Sequence, residues 1–143
     1  MMGRKITVET SIKINAPASK VWDALTKPEL IKLYLFGTET KSDWKVGSPI
    51  TYNGVWEGKP YEDKGIIKKI QKGKLLQSTY FSSFSGKEDK PENYATVTYE
   101  LREENKGTLL TISQDNIENE EGKKHMKENW EMVLKKLKEV VEH

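Results

Sequence analysis

The sequence predicts an α+β fold in which a curved antiparallel sheet of about six to seven strands wraps around a long C-terminal helix. Three observations support this prediction. Apolar residues alternate along several short segments, as in half-buried strands, two short helical segments follow the first strand, and the last segment repeats its apolar residues every three or four positions. With 143 residues and no internal repeat, we expect residues 1–143 to form one domain.

The first elements are a strand and two short helices. From Ile6 to Ile14 the apolar side chains fall on alternate positions, which predicts a strand with one buried face. Pro17 stands near the start of the next segment and Pro28 interrupts it, so we expect two short helices there. Their apolar faces comprise Val21, Trp22, Leu25, Leu30, Leu33 and Tyr34.

The middle of the chain predicts a series of antiparallel strands. In residues 50–56 the apolar and aromatic side chains of Ile50, Tyr52 and Trp56 lie at alternate positions and share one face, and Val55 falls on the opposite face. We assign the following turn to "EGKP", residues 57–60, because glycine permits a left-handed backbone and Pro60 cannot donate a ladder hydrogen bond. Four further alternating segments predict strands, and we expect residues 82–93 to form a long, mobile connection that rims a binding site.

The C-terminal segment, from Glu120 to His143, changes to a helical period. Asn119 precedes two acidic residues and is the predicted N-cap. Burying each large apolar side chain contributes about 1.5–3 kcal/mol, so the apolar stripe must lie on another apolar surface, and the inner face of the sheet is the one available. The stripe comprises Met126, Trp130, Val133, Leu134, Leu137, Val140 and Val141.

Composition and charge argue against several classes of function. The formal net charge is +2 and the lysines are interspersed with acidic residues, so we do not expect nucleic acid as a partner. The absence of cysteine removes disulfides and cysteine metal sites, and the sequence contains no other metal-binding spacing, so no metal or cofactor is expected. The longest apolar run is too short to span a bilayer, and we expect a cytoplasmic protein.

The candidates for acid–base catalysis all have a structural explanation. We expect His125, near the start of the last helix, to be a solvated or rim residue. Glu57 and Asp63 are the best carboxylate pair, but they flank a turn beside lysines and are expected to form its solvated rim. The serines of "SSFSG" lack the strand–turn–helix setting of a nucleophile elbow. We therefore assign no catalytic residue.

The aromatic residues predict a binding site. Several of them share the inward parity of their strands with polar or flexible residues, and buried phenol and indole groups need partners that a ligand or water could provide. The alternative is that the same residues simply fill the core. Gly54 and Gly65 could permit sheet bending or close approach of a ligand. The candidate ligand-binding residues are Tyr34 near the mouth, Tyr52, Trp56, Tyr80, Tyr99, Gln114, Met126, Trp130 and Val133.

The order of elements is that of the helix-grip arrangement, and short motifs extend the likeness. "SIKINAPASKVWDALTKPELIKLYLFG", "DWKVGSPITY", "GIIKKIQKGKLLQSTY" and "NWEMVLKKLKEVVE" resemble, in order, segments of the family related to the activator of the ninety-kilodalton heat-shock-protein ATPase. That family lies within the START and birch-pollen-allergen-like (SRPBCC) superfamily. Asn129 stands where the family often has glycine, and we expect its side chain to reduce close approach at Trp130.

The aromatic residues and the resemblance together lead to three candidate functions, in order of preference. The first is a non-enzymatic domain that binds a small hydrophobic or amphipathic ligand between the sheet and the Met126–Trp130–Val133 face of the helix. The second is an interaction module for a chaperone, although the chain leaves no room for the additional N-terminal domain that eukaryotic activators use. The third is a cyclase or hydrolase that uses the same cavity. We expect a monomer or a weak dimer.

Overall fold

The computed structural model describes residues 6–35, 37–82 and 86–142, with Trp56 described by its backbone alone. In this part of the chain seven strands form one antiparallel sheet in the order β1-β7-β6-β5-β4-β3-β2. The strands are β1 (Ile6–Ile14), β2 (Glu39–Ser42), β3 (Pro49–Trp56), β4 (Lys59–Gln71), β5 (Leu75–Tyr80), β6 (Ala95–Glu104) and β7 (Gly107–Ile117), and the helices are α1 (Ala18–Thr26), α2 (Pro28–Tyr34) and α3 (Glu120–Glu142). The predicted helix-grip fold is confirmed.

The boundaries of the helices follow local sequence chemistry. Lys27, between α1 and α2, has an extended backbone because the ring of Pro28 disfavours a helical conformation in the preceding residue. At the start of α3 the Asn119 side-chain oxygen accepts a hydrogen bond from the backbone N–H of Gly122 at 2.7 Å. The predicted interruption at Pro28 and the predicted N-cap at Asn119 are both confirmed.

The apolar stripe of α3 lies in the core. Leu134 and Leu137 are buried against a cluster that includes residues from α1, α2 and five strands. Lys135, on the other side of the helix, is exposed. No helix in the described part of the chain is long and apolar enough to cross a membrane.

The β3–β4 hairpin differs from the prediction in the length of its turn. Only Glu57 and Gly58 separate the strands, and both have positive φ angles, 50° and 81°. This is the backbone that two-residue hairpin turns require, because its twist matches that of the flanking strands. Pro60 therefore lies inside β4, opposite Val55, whose side chain is 67% exposed as its parity predicted.

Two features of the middle of the chain add to the prediction. The four-residue strand β2 was not predicted. The connection after β5 contains in its described part a short 3-10 helix, Pro91–Asn93, and contacts β4 through Asp89, while its mobility stays a prediction. Asp89 forms an ion pair with Lys64 and accepts a hydrogen bond from the hydroxyl of Tyr94, whose ring stacks on Phe81. Residues 83–85 of this connection lie outside the described part.

The packing of α3 predicts a large difference between two neighbouring substitutions. Leu137→Ala removes a side chain with no exposed surface and should lower the free energy of unfolding by about 2–5 kcal/mol. Lys135→Ala, on the exposed face, should change it by less than about 0.5 kcal/mol. Urea unfolding followed by circular dichroism measures both values. Equal effects would contradict the observed orientation of the helix.

Candidate functional site

Strand pairing places several of the predicted site residues on the sheet's inner face. Tyr52 on β3 pairs directly with Asp63 on β4, so their side chains point to the same side. Tyr80 on β5 joins them, because its hydroxyl donates a hydrogen bond to Asp63 Oδ2 at 2.6 Å. The rings of Tyr52 and Tyr80 meet edge to face with centroids 6.0 Å apart.

Asp63 was expected to form part of a solvated rim at the hairpin turn, and this expectation is wrong. Its side chain is partly buried on the inner face, beside Tyr52 and bonded to Tyr80. The signal was present in the sequence, because Asp63 shares the parity of Ile67, a fully buried residue of the same strand. Glu57 does lie in the exposed turn, so the two acids face different environments and do not form a pair.

Trp130 connects α3 to two strands of the sheet. Its indole N–H donates a hydrogen bond to the side-chain oxygen of Gln114 on β7 at 2.9 Å. Its ring also meets that of Tyr99 on β6 edge to face, with centroids 6.2 Å apart and planes at 88°. Asn129 is exposed, so its side chain does not limit the approach of Trp130 to the sheet, contrary to the sequence-based expectation.

The remaining predicted residues differ in how available they are to a ligand. Tyr34 is only 5% exposed, and its hydroxyl donates to the carbonyl oxygen of Ala24 at 2.7 Å, so it lies in the core and not at a mouth. Val133 is also a core residue, whereas Met126 is half-buried near the start of α3. The side chain of Trp56 lies outside the described part.

Three polar groups at this site have no hydrogen-bond partner within residues 6–35, 37–82 and 86–142. They are the hydroxyls of Tyr52 and Tyr99 and the side-chain N–H₂ of Gln114, and each retains some accessible surface. A fourth group, Thr40 Oγ1, is both enclosed and unpartnered in the described chain. Thr40 pairs with Tyr52 across β2 and β3, which places this fourth group on the same face.

Burial keeps the tyrosine hydroxyls protonated. Burial raises the pKa of Tyr34 and of Tyr52 well above the ordinary value of 10.0, and the neighbouring Tyr99 hydroxyl raises both further. Burial also raises the pKa of Tyr99, and the pKa of Tyr80 rises through burial and then through the charge of Asp63. These hydroxyls therefore remain neutral hydrogen-bond donors at physiological pH.

The two inward glycines allow other atoms of the protein to pack directly against the backbone. A Cβ atom at Gly54 would lie 2.4 Å from the hydroxyl oxygen of Tyr61, whose ring crosses the strand there. A Cβ atom at Gly65 would lie 1.7 Å from the backbone oxygen of Thr79 on the neighbouring strand. The idea that these glycines admit a ligand is therefore wrong, and both are needed for close internal packing.

Histidine catalysis and metal binding have little support among the described residues. His125 is exposed, as predicted, and no group of three or more histidine or acidic residues there could hold a metal ion. An open depression of about 390 Å³ lies between Pro17 and the β6–β7 turn, and it includes none of the predicted site residues. The inner face around Tyr52 and Tyr99 remains the candidate site.

The raised tyrosine pKa values predict a loss of stability at alkaline pH. The folded protein keeps its phenolic protons above pH 10, where the unfolded chain releases them, so this contribution is fully present below about pH 10 and is lost as pH rises further. Each such group contributes up to about 1.4 kcal/mol per pH unit to the decline.

Urea unfolding between pH 8 and 11.5 tests this prediction, and tyrosinate absorbance at 295 nm should rise together with loss of secondary structure. The matched variant Tyr99→Phe lacks one of the groups and should show a shallower decline. Tyrosinate formation of all buried tyrosines in a protein that stays folded would contradict the prediction.

Comparisons with known proteins agree with this architecture. The family model "Activator of Hsp90 ATPase homolog 1-like protein" matches residues 15–142. The solution structure of ChR145 from Cytophaga hutchinsonii is 46% identical, with 99% of this chain and 97% of that chain covered and a TM-score of 0.87. CalU16 from Micromonospora echinospora is 24% identical, with 97% and 78% covered and a TM-score of 0.75.

More distant structures share the fold alone. The Aha1 dimer from Colwellia psychrerythraea is 18% identical, with 95% of this chain and 96% of that chain covered and a TM-score of 0.75. A search of curated proteins found no match. Because the family model spans most of the sequence, the chain belongs to the activator of Hsp90 ATPase homolog 1-like family.

Proposed function

We propose that this chain is a cytoplasmic domain that binds a small hydrophobic or amphipathic molecule and does not catalyse a reaction. The ligand would lie between the inner face of the sheet and the N-terminal half of α3, next to Met126 and Trp130. The observation that carries the proposal is the set of unpartnered polar groups on Tyr52, Tyr99 and Gln114, surrounded by aromatic rings. Membership of a family of ligand-binding domains supports it.

The uneven burial of α3 also supports this location. Leu134 and Leu137, in the C-terminal half, have almost no exposed surface, whereas Met126 and Trp130 on the same stripe are half-buried. Apolar side chains that share a stripe but differ in burial indicate that the helix and sheet pack less closely at one end. A small apolar molecule would gain free energy by covering the surface left there.

The chemistry of the site favours binding over catalysis. Among the described residues, Asp63 is the acidic side chain that faces inward beside the tyrosines, and it already accepts a hydrogen bond from Tyr80. His125 is exposed. A cyclase or hydrolase would need a second group to exchange protons with substrate, and this arrangement does not identify one.

A chaperone-associated role is the second candidate, and the description of the matching family favours it. The exposed side chains of Val55 and Ile66 do not add to that support as one patch, because they lie at opposite ends of the β3–β4 pair. Isolated exposed apolar residues are ordinary on protein surfaces. An ATPase assay with the chaperone from the same organism tests this role, and unchanged turnover at saturating domain would exclude it.

The binding proposal predicts that an uncharged aromatic probe stabilises the protein. N-phenyl-1-naphthylamine at a hundredfold its dissociation constant should raise the free energy of unfolding by about 2.7 kcal/mol, measured by thermal or urea unfolding. Its fluorescence should rise on binding, because the probe leaves water for an apolar site.

A matched pair of variants locates the site. Met126→Trp fills space on the inner side of α3 and should weaken probe binding at least about tenfold, whereas Met132→Trp adds the same side chain at a position that is 50% exposed and should leave binding unchanged. If neither this probe nor a panel of lipids, sterols and aromatic compounds stabilises the protein, the proposal is overturned.

A further inference from the structure

We propose that the outer side of the sheet near the β4–β5 turn binds an anionic lipid surface, with lysines at the headgroups and aliphatic side chains in the interface. This surface lies on the face of the sheet opposite to α3, so the proposal does not depend on the ligand site. We call it the basic patch, and it comprises Lys45, Lys68, Lys69, Lys72 and Lys74 together with Val46 and Ile66.

Positive charge is concentrated in this part of the chain. Residues 64–87 contain no aspartate or glutamate. The lysines of the basic patch are all exposed, and none of them forms a salt bridge within the described residues, whereas Lys64 is paired with Asp89. The acidic residues that adjoin the patch are Asp43, before the 45–48 turn, and Glu100 on β6. The protein itself therefore leaves most of this charge uncompensated.

A β-bulge in β4 places two adjacent lysines on the same side of the sheet. The register between β4 and β5 shifts between Ile67 and Lys69, so Lys68 is an extra residue that interrupts the regular alternation. Ile67 is buried on the inner face, but Lys68 and Lys69 are both exposed. Lys69 pairs with Gln77, whose side chain bonds to Thr98 on the outer face. The strand thus presents two positive charges outward at one point.

Two turns add lysines on either side of the bulge. The β4–β5 turn follows directly and carries Lys72 and Lys74. The turn at residues 45–48 forms two backbone hydrogen bonds with Ile67, at 2.8 and 2.9 Å, and so holds Lys45 beside the bulge. Amines that several elements fix on one surface attract an anionic partner together.

Exposed apolar side chains lie within the same surface. Val46 stands at the corner of the 45–48 turn and is 66% exposed, and Ile66 in β4 is 47% exposed. Pro49, which pairs with Ile66, is exposed as well. Aliphatic groups among lysines suit a membrane interface, because the headgroups bind the amines while the apolar groups leave water at the acyl boundary.

The composition of the basic patch favours lipid over nucleic acid. Its residues include neither arginine nor an aromatic ring, which are the side chains that commonly contact base edges and stack on bases. An anionic lipid surface needs only diffuse positive charge and gains further from apolar contact. Because each of these two contributions is weak alone, the expected binding is peripheral and reversible.

Co-sedimentation of the full chain with vesicles tests the proposal. Vesicles of phosphatidylcholine with about one third phosphatidylglycerol should bind the protein, whereas phosphatidylcholine alone should not, and about 0.5 M NaCl should release it. The Lys68→Gln, Lys69→Gln double variant should lower the partition coefficient at least about tenfold, since each lysine near an anionic surface strengthens binding about fivefold.

Two control variants match the size and charge of these changes. The Lys135→Gln, Lys136→Gln double variant removes two adjacent exposed lysines from α3 and should bind vesicles like the wild type. Val46→Ser should lower the partition coefficient about threefold or more, whereas Val55→Ser, at a position 67% exposed, should leave it unchanged. All four variants alter exposed side chains, and circular dichroism verifies that each is folded.

A fluorescent label reports insertion directly. The chain has no cysteine, so Val46→Cys and Val55→Cys each provide a single attachment site for a nitrobenzoxadiazole fluorophore. On addition of the anionic vesicles, emission from the label at position 46 should rise and shift to shorter wavelength, because the label leaves water. Emission from the label at position 55 should not change.

Three results would overturn the proposal. The first is no binding to the anionic vesicles. The second is an equal loss of binding in the two double lysine variants, which would show a response to net charge alone. The third is binding of a DNA or RNA oligonucleotide through Lys68 and Lys69 without binding to vesicles, which would make the patch a nucleic-acid site. The proposed ligand site stands in each case, because its probe is measured without vesicles.

Discussion

Burial of the C-terminal half of α3 against the sheet is the constraint on which the rest of the structure depends. Leu134 and Leu137 are almost fully enclosed, and α1 and α2 contact the same helix. A helix is stiff over its length, so fixing one half also fixes the line along which Met126 and Trp130 must lie. On the side of the sheet, the ring of Tyr99 contacts Trp130, and the side chains of Met126 and Trp130 are only half-buried. The location of the candidate site is thus a geometric consequence of where the core is most closely packed.

The two ends of the inner face differ in chemistry as well as in packing. The core cluster that contains Leu137 also includes aliphatic sheet residues such as Leu101 and Leu110, which need only close contact. Around Trp130 the sheet contributes phenols and an amide, whose burial is unfavourable unless they form hydrogen bonds. The hydrogen bonds there hold some of these side chains in place, whereas other polar groups form no hydrogen bond within the described residues. A polar end of this kind adds little to stability, which agrees with the ligand site proposed for it.

The sequence was sufficient to predict the elements with strong periodicity and insufficient where pairing decides the structure. The bounds of β1 and α3 follow from alternation and from a long apolar stripe, but β2 has four polar residues and is a strand because it pairs with β3. The turn was predicted two residues too long because Pro60 cannot donate a ladder hydrogen bond, yet Lys59 and Pro60 lie in β4. Parity placed the tyrosines on the inner face correctly. Which hydroxyls are engaged depends on distances that no sequence pattern encodes.

The hydroxyls of Tyr52 and Tyr99 form no hydrogen bond within the described part of the chain, and this is the observation behind the proposed ligand site. Phenylalanine at either position would keep the same ring and the same edge-to-face contact. Tyr34 shows the contrast, because its hydroxyl bonds to Ala24 and so contributes to the fold. An accessible hydroxyl that forms no internal hydrogen bond is available to water or to a ligand, and the proposed function uses these two groups in that way.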